Sequence, residues 1–296
     1  MTTFSVEAVE PLAFERAPPL SGMYVLSPCV WRENDGYHVL LRAVNHADDP
    51  AKKIARVYHG CGDDGVRFSM DALPVIAPSL SPGADDADGC EDPSLTRQDG
   101  RYHVFYSGWN QGFRQGHLLR AVGSDIRALR KRGRFLPDGV HRNNAKEAEI
   151  ASCPTGGWRL FFEYADEGRS KIGLAKADNL EGNWSLEPDP FVARGDHFDS
   201  WHLSAGPVIQ TQDGLPLMLY NGATQDRRWR IGWITFDGGF TRVLDRCDEP
   251  VITPPPPQGD ATDIAFSASA LQEENLICLY YTISDDQPMR AILHLR

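Results

Sequence analysis

Two adjacent carboxylates, Glu91 and Asp92, are the residues of this chain whose type and spacing most directly suggest chemistry. They precede Pro93 and a segment that is typical of a strand, a turn and a second, aromatic-rich strand. Paired carboxylates in a cleft suit glycoside cleavage: one carboxylic acid protonates the leaving oxygen, and a second carboxylate or a bound phosphate supports attack at the anomeric carbon. Other ionisable side chains occupy comparable places before later strands: Lys146, Glu147, Asp199 and Asp263.

Aromatic side chains are available near these acids, and aromatic faces can pack against the apolar side of a sugar ring. The candidates are Trp109, Tyr164, Trp201, Tyr220 and Trp229. Any one acid taken alone could instead cap a turn or pair with an arginine of a neighbouring element. The recurrence of acids before several strands favours a shared site.

The elements that must position these residues recur along the chain. Five segments combine an apolar strand, a polar turn and an aromatic-rich strand, and their turns follow one another at roughly 60-residue intervals. A further strand pair follows each segment, so each unit holds about four antiparallel strands, as a propeller blade requires. The turn residues are Gly36, Gly100, Gly157, Gly214 and Asn275.

This repetition predicts an all-β fold, namely a five-bladed β-propeller that forms a single domain over residues 1–296. The blades should start near residues 27, 91, 147, 204 and 264. Because the inner strands of a propeller converge on a central axis, the side chains at their starts should surround one mouth of the channel.

Composition limits the classes of partner. With 41% hydrophobic and 24% charged residues, the chain is typical of a globular protein. A net charge of −11 argues against nucleic acid and against an anionic membrane surface as partners, since both bind mainly through Lys and Arg. The first residues lack the pattern of a secretory signal, which predicts a cytoplasmic location. The sequence leaves the oligomeric state open.

No cofactor and no metal site are expected. His197 and His202 stand five apart in a predicted loop and are interpreted as sugar contacts or as space-filling residues rather than as metal ligands. Glycoside cleavage by two carboxylates needs no cofactor, although inorganic phosphate would be a co-substrate for a phosphorylase.

Along nearly its whole length the chain resembles the mannoside phosphorylases and mannosidases of glycoside hydrolase family 130. Residues 89–94 resemble the family's GxEDPR hairpin, and residues 198–207 its WDSxKIGAGPP segment. Residues 144–150 and 40–42 resemble the NKDAALFP and LLYR segments more weakly. The resemblance implies a five-bladed propeller that cleaves a small β-mannoside or a related oligosaccharide.

The same resemblance implies roles for individual residues. Asp92 would be the proton donor to the glycosidic oxygen, with the proton relayed in this family through a sugar hydroxyl. Arg42, Lys146 and Asp199 would line the sugar and anion sites. With the residues at the predicted mouth, the expected substrate-binding set is Arg42, Glu91, Asn144, Lys146, Glu147, Tyr164, Trp201, His202 and Asp263.

Departures from the family pattern help to distinguish water from phosphate as the group that attacks the anomeric carbon. Ser94 occupies a position where the family has an arginine. His117 occupies the start of a strand that begins with an arginine in the family, and Phe162 and Glu163 replace the family's His-Arg pair. Phosphorolysis needs several cations to hold phosphate beside the anomeric carbon. The sequence therefore favours an inverting β-mannosidase-type hydrolase, with Asp92 as general acid.

In this hydrolase, Glu163 or Asp199 would be the general base. The alternative is a phosphate-dependent β-mannoside phosphorylase that releases mannose 1-phosphate, with the missing cations replaced by Arg114, Arg120 or Arg142. A further alternative is a non-catalytic glycan-binding propeller. The related arabinanase and xylosidase families are disfavoured, because they begin the first blade with a general-base Asp and this chain has Ser27 there.

Overall fold

β-Strands account for nearly all the regular structure in the computed structural model, which describes residues 2–136, 143–256 and 262–296. The strands up to residue 134 are β1 (Phe4–Pro11), β2 (Ala13–Glu15), β3 (Met23–Glu33), β4 (Gly36–Asn45), β5 (Ala55–Gly62), β6 (Arg67–Ile76), β7 (Gly89–Gln98), β8 (Arg101–Asn110), β9 (Gln115–Gly123) and β10 (Arg130–Arg134).

The strands of the second half are shorter on average. They are β11 (Asn143–Ser152), β12 (Trp158–Asp166), β13 (Arg169–Ala177), β14 (Ser185–Glu187), β15 (His202–Ser204), β16 (Val208–Gln210), β17 (Pro216–Met218), β18 (Asn221–Ala223), β19 (Trp229–Ile231), β20 (Ile234–Phe236), β21 (Val243–Arg246), β22 (Ala265–Glu273), β23 (Leu276–Ile283) and β24 (Gln287–Leu295). Short 3₁₀ turns cover Leu20–Gly22, Pro50–Lys52 and Ile126–Ala128. The prediction of an all-β chain is confirmed.

The hairpin of β7 and β8 illustrates how local sequence determines these elements. Gln98 pairs with Arg101, so that Asp99 and Gly100 form a two-residue turn. Both have positive φ, 52° and 72°, as a type I′ turn requires, and Asp-Gly is among the pairs that adopt it at least cost. β8 itself contains aromatic and β-branched residues and is buried on both faces.

The strands assemble into mainly antiparallel sheets, with β2 pairing parallel to β6. One sheet has the order β11-β12-β13-β14, and another has β1-β24-β23-β22, in which the first strand of the chain pairs antiparallel with the last. β3, β4, β5 and β6 form one four-stranded set, β7 to β10 form another, and one parallel pair between Ala55 and Gly89 connects the two sets. The two ends of the described chain therefore lie in one sheet.

Residues 202–246 form a divided unit. β15, β18 and β19 form one small sheet, and β16, β17, β20 and β21 form a second. β15 and β16 are separated at Ala205–Pro207, where Gly206 approaches the Leu219 backbone so closely that a Cβ would lie 2.0 Å from its carbonyl oxygen. Apolar side chains between the sheets form the core.

β3, β7, β11 and β22 each begin a sheet unit and lie side by side: β22 packs against β3 and β7 against β11. This matches the expectation that strand starts meet at one place. The blade count and the closure of a ring stay predictions. Among the described residues, no helix is long and apolar enough to cross a membrane.

Candidate active site

A cavity of about 330 Å³ lies where β3, β7, β11 and β22 come together. It combines a strongly ionisable side with an aromatic and apolar side. Its lining residues are Tyr24, Leu26, Ser27, Arg42, Glu91, Asp92, Lys146, Glu147, Glu163, Trp229, Ile264, Phe266, Thr282 and Asp285. Six of the ionisable residues predicted from the sequence are among them, namely Arg42, Glu91, Asp92, Lys146, Glu147 and Glu163, together with the aromatic candidate Trp229.

Three matching β-bulges direct side chains into this cavity. The ladders of β3 and β7 each lose register at one place and that of β11 at two. Ser27, Asp92 and Glu147 lie at these places and have φ values of 51°, 46° and 50°. Positive φ is costly for residues with a Cβ, and such strain is commonly found at functional sites. Pro28 and Pro93 follow two of the three, and proline lacks the N–H that an unbroken ladder would need.

Asp92 is 5% exposed and accepts two hydrogen bonds on one oxygen. Ser27 Oγ donates to Asp92 Oδ1 at 2.8 Å, and Arg42 Nη1 donates to the same atom at 2.9 Å. Arg42 Nη2 also lies 3.0 Å from Glu91 Oε1, so one guanidinium bridges both acids. Burial alone would raise the pKa of Asp92, but Arg42 and Lys146 outweigh it and hold that pKa below its ordinary value.

Lys146 and Glu163 form an ion pair in the cavity lining. Lys146 Nζ lies 3.4 Å from Glu163 Oε1, and this carboxylate, with the others nearby, raises the pKa of the lysine against the opposing effect of desolvation. Glu163 also accepts a hydrogen bond from Ser170 Oγ at 2.8 Å. Both cations of the cavity lining are thus already paired with carboxylates.

Glu147 is a further acid of the lining, and it shares both this cavity and a smaller one with Asp92. Burial and the neighbouring Asp92 raise the pKa of Glu147 well above its ordinary value. Burial also raises the pKa of Glu91, against the effect of Arg42, and that of Asp285.

A smaller cavity of about 20 Å³ lies beneath the acids. Asp92, Glu147 and Glu149 line it together with Ser94, whose buried hydroxyl has no hydrogen-bond partner. The volume matches one water molecule, and the polar lining suits it. Glu149 accepts a hydrogen bond from the Val208 amide at 3.1 Å, and burial raises its pKa to about 8.

The aromatic side of the main cavity consists of Trp229, Phe266 and Tyr24. The rings of Trp229 and Phe266 meet edge to face, with their centroids 5.2 Å apart. His202 lies behind Trp229 at a centroid distance of 5.7 Å and accepts a hydrogen bond from the Ser170 amide. Burial lowers the pKa of His202, which leaves the ring neutral and able to accept that bond. His202 thus supports the lining from behind and does not form part of it.

Asp199, predicted as a base or anion-site residue, lies apart from the cavity lining. It is fully buried and accepts hydrogen bonds from Arg194, from Tyr220 at 2.5 Å, and from Arg246. Three donors on one buried carboxylate hold the 194–199 loop against β21 and the adjacent strands. This arrangement corrects the expectation from the sequence, because these donors use both oxygens of Asp199 in structural contacts.

Four other predicted substrate-binding residues also lie outside the main lining. The Tyr164 hydroxyl donates to Asp189, Trp201 lies 3.8 Å beneath the Arg169 guanidinium, and Asp263 pairs with Arg230 at 2.8 Å. Asn144 accepts a hydrogen bond from the Gly116 amide and lines a neighbouring cavity of about 360 Å³.

The arginines considered as replacement phosphate ligands are dispersed. Arg114 lines the neighbouring cavity with Asn144, whereas Arg120 donates to the Leu180 carbonyl and covers Phe135. Arg142 lies outside the described residues. His117 contacts Asp85 at 3.7 Å, away from the main lining.

Several lining residues were not selected from the sequence, namely Tyr24, Phe266, Thr282 and Asp285. Thr282 Oγ1 accepts a hydrogen bond from the Ser27 amide, which connects β23 to the first bulge. Asp285 lies in a turn after the end of β23. The adjacent acids Asp285 and Asp286 are the sequence feature that could have identified it as a site residue. In the described part of the chain, Glu33, Asp35 and His38 could together offer metal ligands, but they do not line this cavity.

Comparisons with known proteins agree with the fold and cover most of the chain. No family model matches it. The 1,2-β-oligomannan phosphorylase of Thermoanaerobacter sp. (strain X514) is 24% identical over 283 residues, which covers 89% of this chain and 88% of that protein.

Two solved structures superpose on most of the chain. One, the β-1,2-mannobiose phosphorylase of Listeria innocua in complex with β-1,2-mannobiose, gives a TM-score of 0.77 at 19% identity and covers 97% of this chain and 91% of its own. The other, described under the words "the GH130 family of mannoside phosphorylases contains glycoside hydrolases that target beta-1,2 mannosidic linkages in Candida mannan", gives 0.78 at 23% identity, with 91% and 84% covered.

Proposed function

We propose that this glycoside hydrolase family 130-like chain is a glycoside-cleaving enzyme that acts on β-linked mannosides or related small oligosaccharides. The resemblance to that family predicted from the sequence is confirmed by the similarity to a named mannan phosphorylase and to family 130 structures. The proposal includes a fold of five blades in a single domain, in which the repeated sheet units close around the main cavity.

One observation carries the proposal: a buried aspartate, Asp92, lines a sugar-sized cavity together with four other carboxyl groups and two cations. Asp92 is the general acid and protonates the glycosidic oxygen, directly or through a sugar hydroxyl. Arg42 orients it through the hydrogen bond to Oδ1. Trp229 and Phe266 offer aromatic faces for the sugar ring.

Phosphate is the acceptor that the similarities favour, and phosphorolysis therefore replaces hydrolysis as the first assignment. The Thermoanaerobacter and Listeria relatives are both named phosphorylases. In this scheme Lys146, whose side chain is 43% exposed, binds the phosphate as it attacks the anomeric carbon. Glu163 would release its contact with Lys146 or become protonated when the dianion binds.

Hydrolysis is the second candidate, and the charge balance of the cavity favours it. Five carboxyl groups face two cations there, namely Glu91, Asp92, Glu147, Glu163 and Asp285 against Arg42 and Lys146. Water needs a base rather than a cluster of cations. Glu163, 4% exposed and held by Ser170, is the carboxylate in place to activate it, with inversion at the anomeric carbon.

Product analysis decides between the acceptors. The purified chain is incubated with β-1,2-mannobiose, with and without inorganic phosphate, and the products are separated. Mannose 1-phosphate that forms only when phosphate is present supports phosphorolysis, and free mannose formed in its absence supports hydrolysis. If no β-mannoside is cleaved under either condition, the enzymatic proposal fails and the non-catalytic glycan-binding alternative stands.

A substitution at Glu163 also distinguishes hydrolysis from phosphorolysis. For a hydrolase, Glu163→Gln should reduce release of free mannose by about 10²–10⁴-fold, because the base is lost. For a phosphorylase, the same change removes a negative charge beside Lys146, and the KM for phosphate should fall. Glu167→Gln is the matched control, since Glu167 lines only the neighbouring cavity.

A further inference from the structure

The surroundings of Asp92 conflict with its proposed role as general acid. A general acid must carry its proton when the substrate is bound. Asp92 accepts hydrogen bonds from Ser27 and Arg42 on one oxygen, and both bonds favour the ionised carboxylate. Taken alone, Asp92 would therefore be ionised near neutral pH and would have no proton to donate.

Glu147 can supply the proton that Asp92 lacks. Asp92 and Glu147 together line the main cavity and the smaller cavity of about 20 Å³. Two carboxyl groups this close repel each other when both are ionised, and they can hydrogen-bond to each other only if one of them is protonated. Asp92 has the cation and the hydroxyl donor, whereas desolvation and the neighbouring Asp92 raise the pKa of Glu147, against the effect of Lys146. The electrostatics of the cavity thus place the proton on Glu147.

We propose that Asp92 and Glu147 act as one carboxyl pair that holds a single proton, which resides on Glu147 in the resting cavity and reaches the substrate through Asp92. The inference rests on the proposed function and identifies Glu147 as a positioning residue, since it acts through Asp92. Two carboxylic acids that share one proton titrate as a unit, with one apparent pKa low and the other high.

The proton balance of the step is simple. Glu147 transfers its proton to Asp92, and Asp92 transfers one to the glycosidic oxygen as the bond between that oxygen and the anomeric carbon breaks. The acceptor, phosphate or water, forms the new bond to that carbon. If water attacks, its proton goes to Glu163, and solvent afterwards restores the proton of the pair.

The local geometry favours this transfer. Asp92 and Glu147 occupy bulges of β7 and β11, two strands that pack against each other, and both side chains line the same two cavities. The ionisable groups around the pair come from every adjoining element: Arg42 of β4, Glu91 of β7, Lys146 and Glu149 of β11, Glu163 of β12, and Asp285 after β23. The acids among them outnumber the cations, which keeps one proton on the pair.

The pH dependence of kcat/KM on a β-mannoside tests the role of Glu147 through Glu147→Gln. The amide can still donate a hydrogen bond to Asp92 but has no proton to transfer. We expect kcat at pH 7 to fall about 10²-fold or more, with KM changed less than about threefold. The alkaline limb of the profile should move to lower pH by about one unit or more, because Asp92 must then hold the proton itself.

Glu167→Gln is the matched control, because Glu167 lines the neighbouring cavity and not the cavities that contain Asp92. Its alkaline limb should coincide with that of the wild-type protein. A loss of rate in Glu147→Gln without any shift of the limb would overturn the proposal and indicate a purely structural role. Partial recovery of rate and limb in Glu147→Asp would support proton transfer.

An infrared measurement separates this proposal from the proposed function. The difference spectrum between wild-type protein and Glu147→Gln at pH 7, recorded without substrate, should contain the carbonyl band of one protonated carboxyl group. The absence of this band overturns the shared proton even if mannosides are cleaved. Its presence in a protein that cleaves no mannoside supports the pair and rejects only the proposed function.

Discussion

Ser27 Oγ donates a hydrogen bond to Asp92 Oδ1 at 2.8 Å across 65 residues of chain. Each residue lies at a bulge with positive φ, and each is followed by proline. The contact joins two repeated units at corresponding positions. The candidate active site is therefore built from a repeated backbone feature, which places equivalent side chains of successive units next to one another.

Asp92→Asn should abolish glycoside cleavage while the fold is retained. The amide cannot transfer a proton, so turnover should fall by about 10³-fold whichever acceptor is used. Arg42 keeps its contact with Glu91 and so retains a partner. Turnover is measured by product release, and circular dichroism checks the fold. A variant that keeps most of its rate would exclude Asp92 as the general acid.

Arg42→Met should destabilise the protein by about 3–5 kcal/mol at pH 7, because it leaves Asp92 and Glu91 without their shared cation in a buried site. Arg42 holds the pKa of Asp92 low, so its stabilising effect is present above the unfolded pKa and is lost as pH falls through the folded one. The difference in unfolding free energy between variant and wild type should therefore shrink towards acid pH. Urea unfolding at several pH values measures it.

Arg42→Lys provides the control for charge. A lysine keeps the positive charge but cannot bridge two carboxylates in the manner of a planar guanidinium. We expect it to recover part of the stability and little of the rate. Equal stability of Arg42→Met and wild type at pH 7 would contradict the ion-pair account.

Asp199→Asn should affect stability far more than chemistry. The change leaves Arg194 and Arg246 without their common buried carboxylate, at a cost of about 3–5 kcal/mol. Folded protein should keep its kcat within a few-fold. Asp248→Asn is the control: this exposed acid contacts Arg194 at 3.5 Å, and its loss should leave the urea midpoint unchanged. A stable Asp199→Asn protein without activity would restore Asp199 as a candidate base.

Glu149→Gln should become progressively more stable than wild type as pH rises from about 5 to 8. The folded pKa of Glu149 is about 8, above that of an unfolded glutamate, so the unfolded chain binds fewer protons in this window and wild-type stability declines with pH. The amide removes this decline, by about 1.4 kcal/mol per pH unit at most. Urea unfolding at pH 5, 6, 7 and 8 tests the slope, with exposed Glu274→Gln as control. Parallel curves for the three proteins would contradict the buried, protonated state.

Much of the site could be predicted from local sequence. The acids Glu91 and Asp92 ahead of a hairpin, and Lys146 and Glu147 at the equivalent point of the next unit, were selected because they precede strands of a repeated pattern, and all four line the cavity. Strand periodicity is a local property, so it carries over to the structure. Asp199 satisfied the same pattern but lies elsewhere, because its carboxylate forms ion pairs with Arg194 and Arg246. A local sequence pattern does not reveal such contacts.

The sequence by itself determined the all-β character, the turn positions such as Asp99-Gly100, and the set of acids from which the site is drawn, since these depend on period-two patterning and on residues that tolerate positive φ. Only the tertiary structure decided which acids meet. The proton shared by Asp92 and Glu147, and the pairing of Lys146 with Glu163, depend on burial and on distances between strands far apart in sequence. Electrostatic effects of that kind arise only when the chain is folded, because in the unfolded chain water separates and screens the same charges.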